Sequence, residues 1–455
     1  MSNISQIAYS GLNANQVSLT TTSQNIANVN TPGFSRLSVN TKAMAGVSGS
    51  QAGAGVQVTS IRRIADSFLT QQVWRATTEQ QHYAANQQYL TAIESLMSGD
   101  GASISSGLDQ FFAAISEAST TPNSIALRQQ VINEAGNLAQ RFNGLTSNIQ
   151  SQMNALHEQR IAMSQEINGL TENIALLNKK ILETQSVNGD TATLEDERDT
   201  LIGKLAQFAQ IRTTNAPHGV INISLANGQP LVDGSTAARL NISETATGEQ
   251  KVTLHFSHTE YPLAQDSFGG AFGGLYKAEF ETMRPTQKAL EEMAEQISTL
   301  VNQTLAQGFD LNGNPGEPLF TFNPGSTSKL LEVNRMNASD LAFSSAANES
   351  GNNEILLDIF KLRNETITVA GNRITLNDAY AVILGDIASI SRQNQADLDT
   401  ATTVQQQAQS QRDSVSAVNL DEEYINLMNY QQAYQANMKV IATVNDLFDQ
   451  MIAMF

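Results

Sequence analysis

From Leu420 to Phe455 the chain reads LDEEYINLMNYQQAYQANMKVIATVNDLFDQMIAMF. Leu420, Leu427, Tyr434, Ile441, Phe448 and Phe455 recur there at strict seven-residue intervals, with Tyr424, Tyr430, Met438, Val444 and Met451 in a second seam beside them. A heptad apolar repeat is the pattern of a helix that packs lengthwise on another helix. It runs to the last residue, where chains normally fray, so this end is expected to be tied down by assembly.

The opposite end supplies a partner. The first 35 residues hold no charged side chain, yet they carry Leu12, Leu19 and Ile26 at a mixed helical rhythm and close on Thr31-Pro32-Gly33-Phe34-Ser35-Arg36. A solvated helix ordinarily surrounds its apolar stripe with Lys, Glu and Arg, so an uncharged helix is expected to be buried by neighbours. The same composition also suits a Ser/Thr/Asn/Gln tail that stays disordered in the free monomer and folds on assembly.

Bulk properties exclude several classes. The 455 residues suffice for about three domains with sizeable cores. A formal charge of -18 opposes binding to DNA, RNA or an anionic membrane surface. Without cysteine, neither a disulfide framework nor a thiolate metal site is available. No apolar run approaches the roughly 18 residues of a membrane span, and the N-terminal residues show neither the basic region nor the apolar core of a secretory signal, so neither membrane insertion nor the ordinary export signal is expected. Taken alone, these features point to the cytoplasm.

Along the chain, a Gly/Ser/Ala-rich stretch from Ala43 to Gly55 reads as a connector. Helices are expected over Ser67–Met97, closed by Ser98-Gly99-Asp100-Gly101, and over Leu108–Ser119 before Thr121-Pro122. The most regular element begins near Asn123-Ser124: Ala135, Phe142, Ile149, Leu156, Met163, Leu170 and Leu177 are spaced by seven. A second seam, Val131, Leu138 and Leu145, resumes one place shifted as Ile167, Ile174 and Ile181. A helix over 124–186 would measure on the order of 90 Å and make the molecule elongated, although Gly144 and Gly169 weaken its continuity. From Ile211 to Phe268 the rhythm turns to alternation, with Asn227-Gly228 and Asp233-Gly234 as turns, marking a small β-rich insertion. Helix returns over Gly274–Gln307, kinked or delayed by Pro285, and again over Leu376–Ser416. The fold class is mainly α: an elongated rod of long helices and terminal coiled-coil helices with a β-rich insertion. Its expected parts are a terminal coiled coil (1–42 with 415–455), a helical rod (56–210 with 270–414) and an outer insertion (211–269).

No chemistry stands out. His82, His157 and His218 are isolated, and His255 with His258 is too short a set for a metal chelate. Glu195-Asp196-Glu197-Arg198-Asp199 reads as charge at a helix N-terminus rather than an acid/base pair. Asp310-Leu311-Asn312-Gly313-Asn314-Pro315 fails as a calcium loop, with Pro315 at the sixth position and Thr321 at the twelfth. Gly269-Gly270-Ala271-Phe272-Gly273-Gly274 lacks phosphate-loop and dinucleotide spacing and reads as a hinge. Neither catalysis, a cofactor nor a metal is expected.

Asn25-Ile26-Ala27-Asn28-Val29-Asn30-Thr31-Pro32-Gly33-Phe34 resembles the signature shared by axial proteins of the bacterial flagellum: rod, hook and hook-associated proteins. Val418-Asn419-Leu420-Asp421-Glu422-Glu423, followed by Tyr430-Gln431-Gln432-Ala433-Tyr434-Gln435-Ala436-Asn437, is similar to the FlgK family of hook-associated proteins. So are Gly107-Leu108-Asp109-Gln110-Phe111-Phe112, Thr121-Pro122-Asn123-Ser124, Ala126-Leu127-Arg128-Gln129 and Leu194-Glu195-Asp196-Glu197-Arg198-Asp199. The chain looks shorter than the longer family members, which implies a reduced outer domain.

The resemblance implies a structural protein of the hook-filament junction, extracellular in the flagellum and exported through the flagellar type III apparatus without a cleaved signal. The implied partners are further copies of itself in a ring, the hook protein, the second junction protein and a cytoplasmic export chaperone on the C-terminal region. The implied assembly residues are Asn25, Asn28, Thr31, Pro32, Gly33 and Phe34, together with Leu427, Tyr434, Ile441, Phe448 and Phe455; Leu12, Leu19, Ile26 and Leu420 join them. The competing readings are another axial protein such as the hook protein, or a cell-wall enzyme or adhesin carried by the β insertion.

Overall fold

A computed structural model describes residues 2–46, 53–187, 189–245, 248–264 and 268–454. In chain order the elements are α1 (Ser2–Ala27), β1 (Leu37–Met44), β2 (Gly55–Arg63), α2 (Ser67–Ser98), α3 (Ile104–Thr120), α4 (Ile125–Ser186) and α5 (Ala192–Phe208). Then come β3 (Ile211–Asn215), β4 (Ile221–Leu225), β5 (Pro230–Asp233), β6 (Thr236–Ala237), β7 (Arg239–Glu244), β8 (Gln250–Phe256) and β9 (Thr259–Leu263). The remainder is α6 (Gly270–Lys277), a π-helical turn (Ala278–Met283), α7 (Arg284–Leu305), β10 (Phe320–Phe322), β11 (Leu331–Val333), α8 (Glu354–Lys361), β12 (Thr366–Val369), β13 (Asn372–Thr375), α9 (Ala379–Ser416) and α10 (Leu420–Ile452). Long helices with small antiparallel sheets make this a mainly α protein.

Heptad spacing located the longest helix correctly. α4 is unbroken over 62 residues, with Gly144 and Gly169 inside it. Both seams turn inward: Val131, Ala135, Leu138, Phe142, Leu145, Ile149 and Leu156 are all within 1% of full burial, and Ile167, Leu170, Ile174, Leu177 and Ile181 are buried too. The apolar contacts available along both seams outweigh the roughly 1 kcal/mol that each helical glycine costs.

The chain divides into two compact units. The first comprises residues 1–80, 164–270 and 400–455. In it α1 and α10 pack together, and the β1-β2 hairpin lies against α1. Gly55 allows that approach, because it adopts φ +107° and a side chain there would strike Ser10, whose hydroxyl accepts the Val56 N–H at 3.1 Å. Ala43, Met44 and Gly55 of the expected connector thus belong to the two paired strands, and its residues 47–52 lie outside the described residues; alternation too weak to stand out in a polar segment hid the strands from sequence. The β-rich segment forms two sheets, ordered β3-β4-β5-β6 and β7-β8-β9.

The second unit comprises residues 81–163 and 271–399 around one continuous core. Phe111, Phe112, Phe142, Phe320 and Phe343 sit at its centre, with Ile297 and Leu290 of α7 and Leu356 of α8. The helix expected to start at Gly274 begins at Gly270, and the effect of Pro285 is visible directly before it. A proline has no N–H to donate and its ring clashes with the carbonyl four residues earlier. The Arg284 N–H accordingly bonds back to the Glu279 carbonyl, five residues earlier, across a widened π turn.

That turn places Glu279, which is fully buried, against α4. Its carboxylate accepts hydrogen bonds from Arg160 Nη1 at 2.6 Å and from Arg284 Nη2 and Nε at 2.7 and 2.9 Å, and lies 3.1 Å from His157 Nε2. Burial opposes the charge, but the His157 hydrogen bond and the two arginines outweigh it and hold the Glu279 carboxyl down at about 2. The apparently isolated His157 thus belongs to a buried ionic cluster.

Candidate assembly surface

The α1–α10 pair is antiparallel. Gly11 of α1 faces Asn437 of α10, where a Cβ would lie 2.9 Å from the Asn437 amide nitrogen, while the chain following α1 meets the start of α10 through Arg36 and Glu422 at 2.9 Å. The buried face of α1 is built from small residues: Ala8, Ala14, Ser18, Thr21 and Thr22, ending at Asn25. Small side chains let two backbones approach closely, and the Ser18 and Thr21 hydroxyls satisfy themselves on the carbonyls of Ala14 and Val17. Leu12 and Leu19, the residues favoured by apolar reading, are only half-buried, as is Ile26.

Next to the pair, the segment 25–36 forms a compact knot. The Asn25 amide, 1% exposed, donates to the Leu37 carbonyl at 3.0 Å and accepts the Leu37 N–H at 2.8 Å. Asn28 donates to the Gln24 carbonyl and accepts from the Thr31 hydroxyl, closing the end of α1. Gly33 has φ +81°, and a Cβ there would collide with the Thr200 hydroxyl. Its carbonyl accepts from Arg412 at 3.1 Å. Thr31 and Pro32 are exposed and Phe34 is half-buried.

The acidic run 195–199 does more than supply charge at the start of α5. Arg63, at the end of β2, meets Glu195 at 2.8 Å, Asp196 at 2.9 Å and Asp199 at 2.6 Å, while the other Asp196 oxygen accepts the Ser35 N–H at 2.9 Å. Burial pushes the Asp199 carboxyl up, against the pull of Arg63 and Arg198. This cluster docks the turn after α1 and the hairpin onto α5. Sequence reading missed it because Arg63 lies more than 130 residues from its partners.

At the start of α10, Asn419 accepts from the N–H groups of Asp421 and Glu422, and Asp421, Glu422 and Glu423 fill the first turn, where the helix dipole favours negative charge. The Asn-Leu-Asp-Glu-Glu run is thus a helix start. Leu427, Tyr434 and Ile441 are half-buried on the side covered by α1. Leu420 lies 37% exposed and Phe448 50% exposed; with equal rise per residue, α1 runs out opposite about residue 446, leaving Phe448 beyond its cover. Phe455 lies outside the described residues. The second heptad seam is split: Val444 is buried and Tyr430 and Met451 half-buried, but Tyr424 and Met438 are more than half exposed. Tyr424 and Met438 share with Met428 a side of α10 that α1 leaves open, while Leu447, Phe448, Ile452 and Met454 are exposed in the stretch past the end of α1.

Among the described residues, no group of three or more His, Cys, Asp or Glu side chains is placed to hold a metal, and no helix is long and apolar enough to cross a membrane.

A closed uncharged helix, a Pro-Gly knot and a capped heptad helix packed back on it define a class. Residues 6–34 match the model of the flagella basal body rod protein, and residues 409–454 match that of the flagellar basal body rod FlgEFG protein C-terminal segment, which places both ends among flagellar axial proteins. Residues 90–320 match the helical domain of flagellar hook-associated protein FlgK, and the chain belongs to that family. It is 25% identical to flagellar hook-associated protein 1 of Salmonella typhimurium and 26% identical to that of Escherichia coli K12, with 99% of this chain and 100% of each relative covered. The Bacillus subtilis protein of the same name is 25% identical, covering 98% and 97%. The alignment with the Salmonella protein spans 552 positions, so that relative carries segments this chain lacks. In fold, the chain is similar to the flagellar hook junction protein FlgK from Burkholderia pseudomallei, with a TM-score of 0.70 over 76% of this chain and 100% of the other, at 16% identity.

Proposed function

We propose that the chain is a structural subunit of the flagellar hook-filament junction, assembled through the α1–α10 pair and needed for filament growth. The observation that carries this reading is the double-faced α10: one apolar side is covered by α1, which meets it at Gly11 and Asn437, and the other, Tyr424, Met428 and Met438, is open, as is the end of the covered side at Phe448 and Ile452, past the reach of α1. An open apolar face of this extent calls for a neighbour. In this reading the neighbours are further copies in a ring, with the hook protein on one side and the second junction protein on the other.

The terminal segments 1–42 and 415–455 carry the assembly, the helical parts 56–210 and 270–414 carry the rod, and the insertion 211–269 lies outside. Asn25, Asn28, Thr31, Pro32, Gly33 and Phe34 shape the knot, and Leu12, Leu19, Ile26, Leu420, Leu427, Tyr434, Ile441, Phe448 and Phe455 form the packing seams. Before assembly, the exposed side of α10 needs cover, which a cytoplasmic chaperone supplies until the chain leaves through the flagellar type III apparatus, bound for the extracellular flagellum.

Deleting the gene in its source organism and examining cells by negative-stain electron microscopy tests the reading. Bare hooks with filament protein lost to the medium are expected; normal filaments would refute the junction role.

A further inference from the structure

Among the described residues, five asparagines on helices repeat one geometry. Asn25 of α1 exchanges two hydrogen bonds with Leu37 of β1, and Asn168 of α4 does the same with Leu240 of β7 at 2.8 and 2.7 Å. Asn143 of α4 holds Leu331 of β11 at 2.8 and 3.0 Å, and Asn302 of α7 holds Phe320 of β10 at 2.8 and 3.0 Å. Asn178 of α4 donates to the carbonyls of Ile221 and Gly234 at 2.8 and 2.9 Å and accepts the Ile221 N–H at 3.3 Å.

In the first four cases a carboxamide, which carries the donor and acceptor of a peptide group, stands where the next strand of a sheet would be, whereas Asn178 makes its bonds to an interior strand, β4, and to the turn after β5. The strand groups involved are those facing outward. The Arg36 carbonyl is taken by Ile64 within the β1-β2 ladder, so the Leu37 N–H and C=O point away from β2. On β10 and β11, the Leu319 and Leu330 carbonyls bond across the pair, and their neighbours Phe320 and Leu331 face out on opposite edges. β7 is the terminal strand of its sheet. Asp lacks the donor and Gln is one methylene longer, so Asn alone closes both bonds from a helix at this distance.

We propose that four of these asparagines, Asn25, Asn143, Asn168 and Asn302, guard the strand edges: they keep three small sheets from pairing with the sheets of other copies of the chain. Edges of short sheets are templates for a further strand, and a subunit that reaches high local concentration as it assembles is exposed to that hazard. Asn25 apart, the guard is independent of the terminal helices and of the reading given to them.

The test uses the full chain with Asn168→Ala and, separately, Asn302→Ala, and as control Asn154→Ala, an exposed α4 residue whose partner is Gln150 rather than a strand. Light scattering against concentration, circular dichroism and the infrared band of intermolecular strand pairing are recorded. The two edge variants are expected to keep their helical signal, to self-associate at about tenfold lower concentration than the parent, and to show the intermolecular strand band. The double variant Asn168→Ala/Asn241→Lys, with a charge on the exposed β7 strand, is expected to return toward the parent. Edge variants that match the control in scattering and infrared, losing only thermal stability, would overturn the proposal. So would loss of the helical signal in both, which would make the asparagines determinants of folding rather than guards.

Discussion

At the scale of single residues, the motif at the end of α1 separates into distinct tasks. Asn25 is a strand partner, Gly33 is a positive-φ joint pressed against Thr200, and Thr31 and Pro32 are surface. Gly33→Ala is expected to lose about 1–2 kcal/mol from the left-handed backbone alone, and more from the collision with Thr200, read as a lower denaturant midpoint. Gly11 is a second such point. Gly11→Leu drives a side chain into Asn437 and is expected to destabilise the α1–α10 pair by about 1–3 kcal/mol, seen as faster amide exchange in α1 with the second unit unchanged. The resemblance to flagellar axial proteins singled out Asn25 and Gly33, and the Pro-Gly turn gave the local reason for the second. Pattern passed over Gly11 and the row from Ala8 to Thr22, since apolar periodicity looks for large side chains and this helix packs through small ones.

At the scale of elements, α4 and α10 were legible because a long apolar repeat outweighs local propensity, and even two glycines do not break it. The β1-β2 hairpin was not, because its alternation is weak in a polar segment, nor were the ionic clusters, whose partners lie far apart in the chain. Glu279 illustrates the energetics. Glu279→Gln leaves the buried Arg160 and the half-buried Arg284 without their counter-charge, an expected loss of roughly 3–5 kcal/mol measured by denaturant unfolding. The pH dependence has a definite sign. With the folded carboxyl at about 2, below the unfolded range near 4.3, its stabilisation is complete above about pH 5 and fades as pH falls through that window toward 2. The Glu279→Gln variant is therefore expected to show a flatter stability profile across this range than the parent. A parallel decline in both proteins would remove Glu279 as the source.

At the scale of the whole molecule, membership of the FlgK family rests on the helical domain and the paired ends together. The default cytoplasmic reading from composition gives way to a place in the flagellum, which the family matches carry. What remained hidden was which side of α10 is free, because a heptad marks an apolar seam without saying which neighbour covers it. The structure divides the work along one seam: Ile441 lies under α1, whereas Phe448, one heptad further on, is past its end and open. Substitutions at the two positions are therefore expected to differ, Ile441→Asp loosening the pair within one chain and Phe448→Asp sparing it. The most direct measurement adds purified chain to isolated hooks and counts occupied hook tips by electron microscopy, for the parent and for Phe448→Asp/Ile452→Asp. The account predicts occupied tips with the parent, and bare tips with a variant whose circular dichroism is unchanged. A folded variant that occupies the tips as well as the parent would contradict assembly through the open face of α10.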